Sequence, residues 1–177
     1  MNETIVRKSK FFWPWQDHLQ EKWLEQMSRQ GLHLKSINWS EGEFVQGQSQ
    51  NYVYRLDFQD ALKQNKAEYR RFFSDAGWEY LGELEGWQYF RKLVQAGQET
   101  EIYTDPGTKI QKYRRFLANQ GMVWLGFAAF FVPLLIIMPF PEGLTWLMAS
   151  FFIFGSLYLA VIAVKVIERI GQLRSSL

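Results

Sequence analysis

The chain has 177 residues, with 20 Lys and Arg against 18 Asp and Glu, and no cysteine. The lack of cysteine excludes disulfides, thiolate metal sites and cysteine nucleophiles, and it fits a reducing compartment. A mean hydropathy of −0.23 describes neither half of the chain: residues 1–118 hold 17 of the 20 basic and 16 of the 18 acidic side chains, a net +1 that excludes the basic footprint of a nucleic-acid-binding domain.

The N-terminus carries Arg7, Lys8 and Lys10, but only the short aromatic cluster Phe11-Phe12-Trp13-Pro14-Trp15 follows before Gln16 and Asp17, so no cleavable signal peptide is expected. A helix is predicted after Asp17, with Asp17 and Gln20 as a capping box and Leu19, Trp23 and Met27 as its apolar face. Gly31 suits the left-handed residue that ends it. A strand, a turn at Ser40-Glu41-Gly42 and a second strand follow, then the polar loop 46–51. The pattern then repeats. Tyr52, Tyr54, Leu56 and Phe58 alternate with Val53, Arg55 and Asp57, as a half-buried strand requires. A second helix is predicted from Asp60 to Ala76, its inner face formed by Leu62, Tyr69, Phe72, Phe73 and Ala76. Gly77 closes it, and two strands flank a turn at Glu85-Gly86. Val6 and Val53 stand 25 and 24 residues before Gly31 and Gly77. This reads as an internal duplication of β-α-β-β units over residues 4–47 and 51–93. A further strand is expected at 101–104, with a turn at Asp105-Pro106-Gly107. The predicted fold class is α+β: an antiparallel sheet with helices on one face, ferredoxin-like, followed by a two-helix transmembrane hairpin.

Residues 122–140 and 144–164 are uncharged runs of 19 and 21 residues. At ~1.5 Å per residue they reach about 28 and 31 Å, the thickness of a hydrocarbon core. The predicted organisation is a cytoplasmic domain over 1–106, a basic juxtamembrane helix over 107–121, spans at 122–140 and 144–164 joined by an external turn at 141–143, and a tail from 165. Lys109, Lys112, Arg114 and Arg115 precede the first span, Lys165, Arg169 and Arg174 follow the second, and the turn has no Lys or Arg. Those seven residues are assigned a topogenic, membrane-surface role, which places both termini in the cytoplasm at the cell membrane. Neither span contains Asp, Glu, Lys, Arg or His, which argues against conduction or transport by the hairpin alone. Pro133 is expected to kink the first span, and Ser156 and Ala160 are a weak small-residue interface for the hairpin or for oligomers.

No known catalytic motif is present. His18 and His33 lack partners at ligand spacing and are expected to be solvated or packed. Glu79, Glu83 and Glu85 are expected on one solvated sheet face. Aromatic residues make up 18% of the chain. Trp124, Trp146 and Tyr158 serve as belt or packing residues, while Phe11, Phe12, Trp13 and Trp15 are either core or a surface for a ligand or protein partner.

The stretches Phe11-Phe12-Trp13-Pro14-Trp15, Glu25-Gln26-Met27 through Gly31-Leu32, Tyr52-Val53-Tyr54-Arg55-Leu56-Asp57, Ala76-Gly77-Trp78-Glu79-Tyr80 through Trp87-Gln88-Tyr89-Phe90, and Glu101-Ile102-Tyr103-Thr104-Asp105 resemble the bacterial membrane-protein family called domain of unknown function 2812. The resemblance covers about residues 5–118 and implies a regulated, envelope-linked or stress-linked role, with no catalytic residues to transfer. The expected function is that of a non-enzymatic, membrane-anchored cytoplasmic sensor, adaptor or regulatory protein. The alternative is an accessory subunit or modulator of a transporter or envelope-stress complex that acts through its hairpin. No cofactor or metal is expected. The expected partners are the lipid bilayer and either a protein or a second copy of the chain, and not nucleic acid.

Overall fold

The computed structural model describes residues 4–38, 41–59, 65–95, 97–103, 105–138 and 140–175. The chain divides into two units, Met1–Thr108 and Lys109–Leu177. In the first, the elements run β1 (Ile5–Lys8), α1 (Asp17–Arg29), β2 (Leu32–Ile37), β3 (Gly42–Gln46), β4 (Tyr52–Phe58), α2 (Lys66–Asp75), β5 (Glu79–Leu84) and β6 (Trp87–Leu93). The duplication is visible in the topology. Each β-α-β-β repeat builds its own three-stranded antiparallel sheet with its third strand in the centre, β1-β3-β2 and β4-β6-β5.

The repeats share their local devices. Gly31 and Gly77 both end a helix at positive φ, 78° and 81°, where a Cβ strains the backbone. At Gly31 that Cβ would also stand 2.5 Å from the Gly47 carbonyl oxygen. Glu85 and Gly86, at φ 51° and 84°, form the two-residue connection between β5 and β6 that suits the right-handed twist of a hairpin.

Local departures from the sequence reading have identifiable causes. The N-cap of α1 is Gln16, with no side-chain cap. Asp17 is buried inside the helix, and Gln20 donates to the Tyr89 hydroxyl instead of closing a capping box. Leu19 is 42% exposed, because the buried stripe is turned toward Trp23, Leu24 and Ser28. Trp23 meets Phe44 edge to face at 5.6 Å. The described part of α2 begins at Lys66, capped by Asn65, whose side chain accepts from Glu68 N–H at 3.3 Å. The predicted start at Asp60, with Leu62, falls outside the described residues. Phe72 and Ala76 are exposed, leaving Tyr69 and Phe73 to face the sheet. Phe73, Trp78 and Phe90 form the core there, with Val53, Tyr80, Ile102 and Tyr103 packed around them. Truncating such a ring to Ala costs about 3–5 kcal/mol.

The second strand of repeat two contains a bulge between Tyr80 and Gly82. An extra residue reverses the side-chain phase, so the three glutamates do not share a face. Glu79 lies opposite Arg91 and ion-pairs with it at 2.7 Å, Glu83 lies opposite Gln88, and Glu85 sits in the turn. Residues 101–103 are irregular, not a strand. Asp105 caps α3 by accepting from Thr108 N–H at 3.0 Å, so Pro106 and Gly107 open a helix instead of a turn.

In the second unit, α3 (Pro106–Ile137) runs from the basic segment through Pro133 as one helix, and α4 (Glu142–Ser175) returns. Both are long and apolar enough to cross a membrane. They pack through Trp124, whose ring lies 5.6 Å from that of Phe152. A Cβ on Gly155 would collide with the same indole. The close approach within the hairpin is thus at Gly155, while Ser156 and Ala160 are exposed.

Candidate functional site: a polar cleft on the second sheet

The segment Tyr54-Arg55-Leu56-Asp57-Phe58 is the hub of the first unit. Tyr54 is fully buried and its hydroxyl bonds Ser28 Oγ at 2.7 Å. Arg55 reaches Glu25 and Glu101, each at 2.9 Å. Burial acts to lower the Arg55 pKa, but the charges of Glu21 and Glu101 and the hydrogen bonds to Glu25 and Glu101 raise it overall. The Leu56 backbone N–H donates to Glu21 Oε1 at 2.8 Å. β4 is an edge strand, and α1 covers that edge by supplying a carboxylate to a backbone donor that the ladder leaves open.

Alternation placed Asp57 on the solvated side of β4. It is 0% exposed. Oδ2 accepts from the Tyr69 and Tyr103 hydroxyls, both at 2.7 Å, and from Gln59 Nε2 at 3.0 Å. Period-two alternation identifies a strand's two faces but not whether the second is covered, and here α2 and residues 101–103 cover it. Burial, and then the neighbouring Asp57 charge, push the Tyr69 hydroxyl far above the usual tyrosine range, so it remains a donor.

Directly paired residues share a sheet face, and a polar row therefore crosses the three strands: Asp57 on β4, Gln88 on β6 and Glu83 on β5. Glu83 is bound by Lys66 at 2.9 Å. Burial acts to raise its carboxyl, but the Lys66 hydrogen bond and the charges of Lys66 and Arg70 hold it below the usual carboxylate range. Gln88 approaches Glu83 without forming a hydrogen bond: its Nε2, like Gln59 Oε1, is buried and unpartnered. Each such group costs about 1–3 kcal/mol. Both glutamines border a cleft of 460 Å³, whose described walls also include Asn65, Lys66, Glu68, Tyr69, Phe72, Phe73 and Tyr103. The volume is that of a small-molecule site. Sequence reasoning passed over every polar member of it. The available signals were a carboxylate inside a hydrophobic strand and the two glutamines, Gln59 and Gln88, beside it.

The residues singled out from sequence lie elsewhere. Trp13 stacks on Trp15 at 5.2 Å and meets Phe11 edge to face at 4.9 Å, with Phe11 71% exposed. Phe12 turns inward to Trp23 at 5.7 Å. The cluster is thus divided between core and surface. His33 is packed: Nε2 donates to the Gln48 carbonyl at 2.8 Å, and Nδ1 bonds Ser28 Oγ at 3.2 Å. Of the basic flanks, Arg114, Lys165 and Arg174 are exposed and Lys109, Arg115 and Arg169 are half-buried. Lys112 is only 7% exposed, with its ammonium 5.1 Å from the Tyr113 ring centroid. Lys165 pairs with Glu168 at 3.0 Å. Among the described residues no cluster of three or more His, Asp or Glu side chains is arranged to hold a metal.

No curated protein and no solved structure matches the chain. A family model described as protein of unknown function (DUF2812) matches residues 17–127. The match begins after the Phe11–Trp15 cluster and takes in α1, the β4 hub, the cleft and the start of the first apolar run. Because it covers more than half of the chain, the protein belongs to the DUF2812 family.

Proposed function

We propose that the protein is a non-enzymatic, membrane-anchored regulatory protein, with its α+β unit acting as a cytoplasmic sensor or adaptor at the inner surface of the cell membrane. One observation carries the reading, a division of labour along the chain. The α+β unit holds a cleft with unsatisfied polar groups, whereas residues 122–140 and 144–164 contain no Asp, Glu, Lys, Arg or His. A hairpin of that composition suits anchoring better than transport. The seven basic flanks and the uncharged-to-acidic turn favour both termini in the cytoplasm.

The chain's freedom from cysteine makes the test direct. Single replacements Lys10→Cys, Gly143→Cys and Arg174→Cys are probed with a membrane-impermeant thiol reagent on intact cells. Labelling at 143 alone is expected. Labelling at 10 or 174 but not at 143 would refute the orientation.

A second reading, an accessory subunit of a transporter or envelope-stress complex, draws on a 610 Å³ aromatic cleft along the hairpin, lined by Phe127, Phe131, Phe151 and Phe154 among others. Photocrosslinking separates the two. Protein adducts from position 154 favour the subunit, and adducts from positions 13 or 72 favour the adaptor.

A further inference from the structure

We propose that the cleft between α2 and the second sheet binds a small, uncharged, planar aromatic molecule that carries an N–H and a C=O side by side on one edge, as a lactam or carboxamide does. The inference rests on the reading of the α+β unit as a sensor only for what binding accomplishes; occupancy is a property of the cleft itself.

Two incomplete side chains define the polar edge. Gln59 donates Nε2 to Asp57, which fixes its amide orientation and leaves Oε1 as an acceptor without a partner. Gln88 is 2% exposed, and its Nε2 is a donor without a partner. Gln88 faces Asp57 across the β4–β6 ladder, and Gln59 N–H extends that ladder to the Gly86 carbonyl at 2.8 Å. Two residues beyond Asp57 on an extended chain, Gln59 is therefore a diagonal neighbour of Gln88 on the same face, within reach of long side chains. Both residues border the cleft; the terminal torsion of Gln88 is soft, while the Asp57 bond holds the Gln59 amide with its Oε1 unpaired. A lone acceptor beside a lone donor complements a cis-amide edge, whose N–H donates to Gln59 and whose C=O accepts from Gln88.

The remaining walls select the body of the ligand. Tyr69, Phe73 and Tyr103 line the interior, and Phe72, 67% exposed, borders the opening. The Lys66 charge is paired with Glu83, Glu68 is hydrogen-bonded by Asn65, and the Asp57 carboxylate behind the wall opposes an anion. A volume of 460 Å³ suits fused rings with modest substituents.

The test uses the full chain in detergent micelles with carbostyril, the lactam of quinoline, as the probe, read by saturation-transfer NMR. Saturable binding is expected. Quinoline, which has the rings without the amide edge, is expected to bind about tenfold or more weaker, since a site built for hydrogen bonds rejects an analogue lacking them. Gln88→Leu and Gln59→Leu are expected to weaken carbostyril by a similar factor. Phe72→Ala, at an exposed position where folding is not at stake, is expected to weaken it several-fold. Equal binding of the two probes, or carbostyril binding indifferent to all three substitutions, means partition into the micelle and overturns the proposal, as does no binding at all. A domain that binds carbostyril but lies outside the cell leaves this inference standing and removes the sensor reading. A cytoplasmic domain that ignores the lactam does the reverse.

Discussion

Replacing Tyr69 and Tyr103 by Phe, singly and together, tests whether Asp57 is the fastener that closes the second sheet. Both hydroxyls donate to the same oxygen at 2.7 Å, and the carboxylate is 0% exposed. Hydrogen bonds to a charged group contribute about 1.5–3 kcal/mol, so each single replacement is expected to destabilise by about that amount. The pair should not be additive. The first loss leaves the carboxylate with the other tyrosine and Gln59, while the second approaches the breaking of a buried charged network, which costs about 3–5 kcal/mol when the charge is left uncompensated, with any relaxation or entering water deciding how far the sum is exceeded. The measurement is a double-mutant cycle by urea unfolding of the full chain in micelles, read by near-ultraviolet circular dichroism, since Trp78, Phe73 and Phe90 form this core. A coupling of about 0.5–3 kcal/mol is expected. Single mutants within about 0.5 kcal/mol of the parent, or strict additivity, would refute the argument that the two hydroxyls serve one buried carboxylate.

Other expectations follow from the same geometry. Glu85→Asn should stabilise by about 0.5–1 kcal/mol in thermal melts, because Asn tolerates the positive φ of 51° better than Glu, whereas Gly86→Ala should destabilise, its Cβ falling 2.8 Å from the Phe58 ring. Gln88→Leu should raise the melting temperature of the unliganded protein, by about 4–8 °C per kcal/mol recovered from the unsatisfied amide in a domain of this size; an unchanged or lowered melt would mean that the amide is satisfied. Gly155→Leu should separate the hairpin at Trp124, reducing crosslinking between cysteines introduced at 127 and 151. Burial raises Tyr69, with the Asp57 charge adding to it, and burial raises Tyr89. The unfolded chain releases those protons near pH 10 while the folded chain retains them, so stability should fall as pH rises above about 10. Two tyrosines should then ionise only with unfolding, seen as coincident changes in phenolate absorbance and circular dichroism.

What the sequence made legible was what local chemistry decides. The β-α-β-β repeat could be read because Gly31 and Gly77 end helices at a φ only glycine adopts cheaply, and because Glu85-Gly86 has one short solution. The two long helices were legible because uncharged runs of that length, separated by three residues, read as two apolar helices joined by a turn. The cleft was not legible, because its parts come together only through tertiary packing. Asp57 looked solvated until α2 and Tyr103 covered its face. Glu83 was grouped with Glu79 until the bulge after Tyr80 moved it to the other side. Residues 101–103 had a strand's composition, but side chains hold them: Glu101 on Arg55 and Tyr103 on Asp57. The apolar face of α1 was placed on Leu19 because periodicity within one helix cannot foresee that a strand of the other repeat will lie against it.

That last contact bears on the order of events during synthesis. Glu21 leaves the ribosome 35 residues before Leu56, the backbone donor it meets. At ~5–20 residues per second the helix waits roughly 2–7 s for the edge it covers. Within that interval Trp23 can settle on Phe44, and Ser28 on His33, of its own repeat, but Glu21, Glu25 and Ser28 still lack their partners on β4, the Leu56 N–H, Arg55 and Tyr54. The first repeat therefore emerges as an unfinished half, and the nascent domain locks only when β4 arrives, before either apolar helix has been made. A stalled chain whose first 50 residues have emerged from the ribosome should accordingly present a protease-sensitive α1, and one whose first 95 have emerged a protected one.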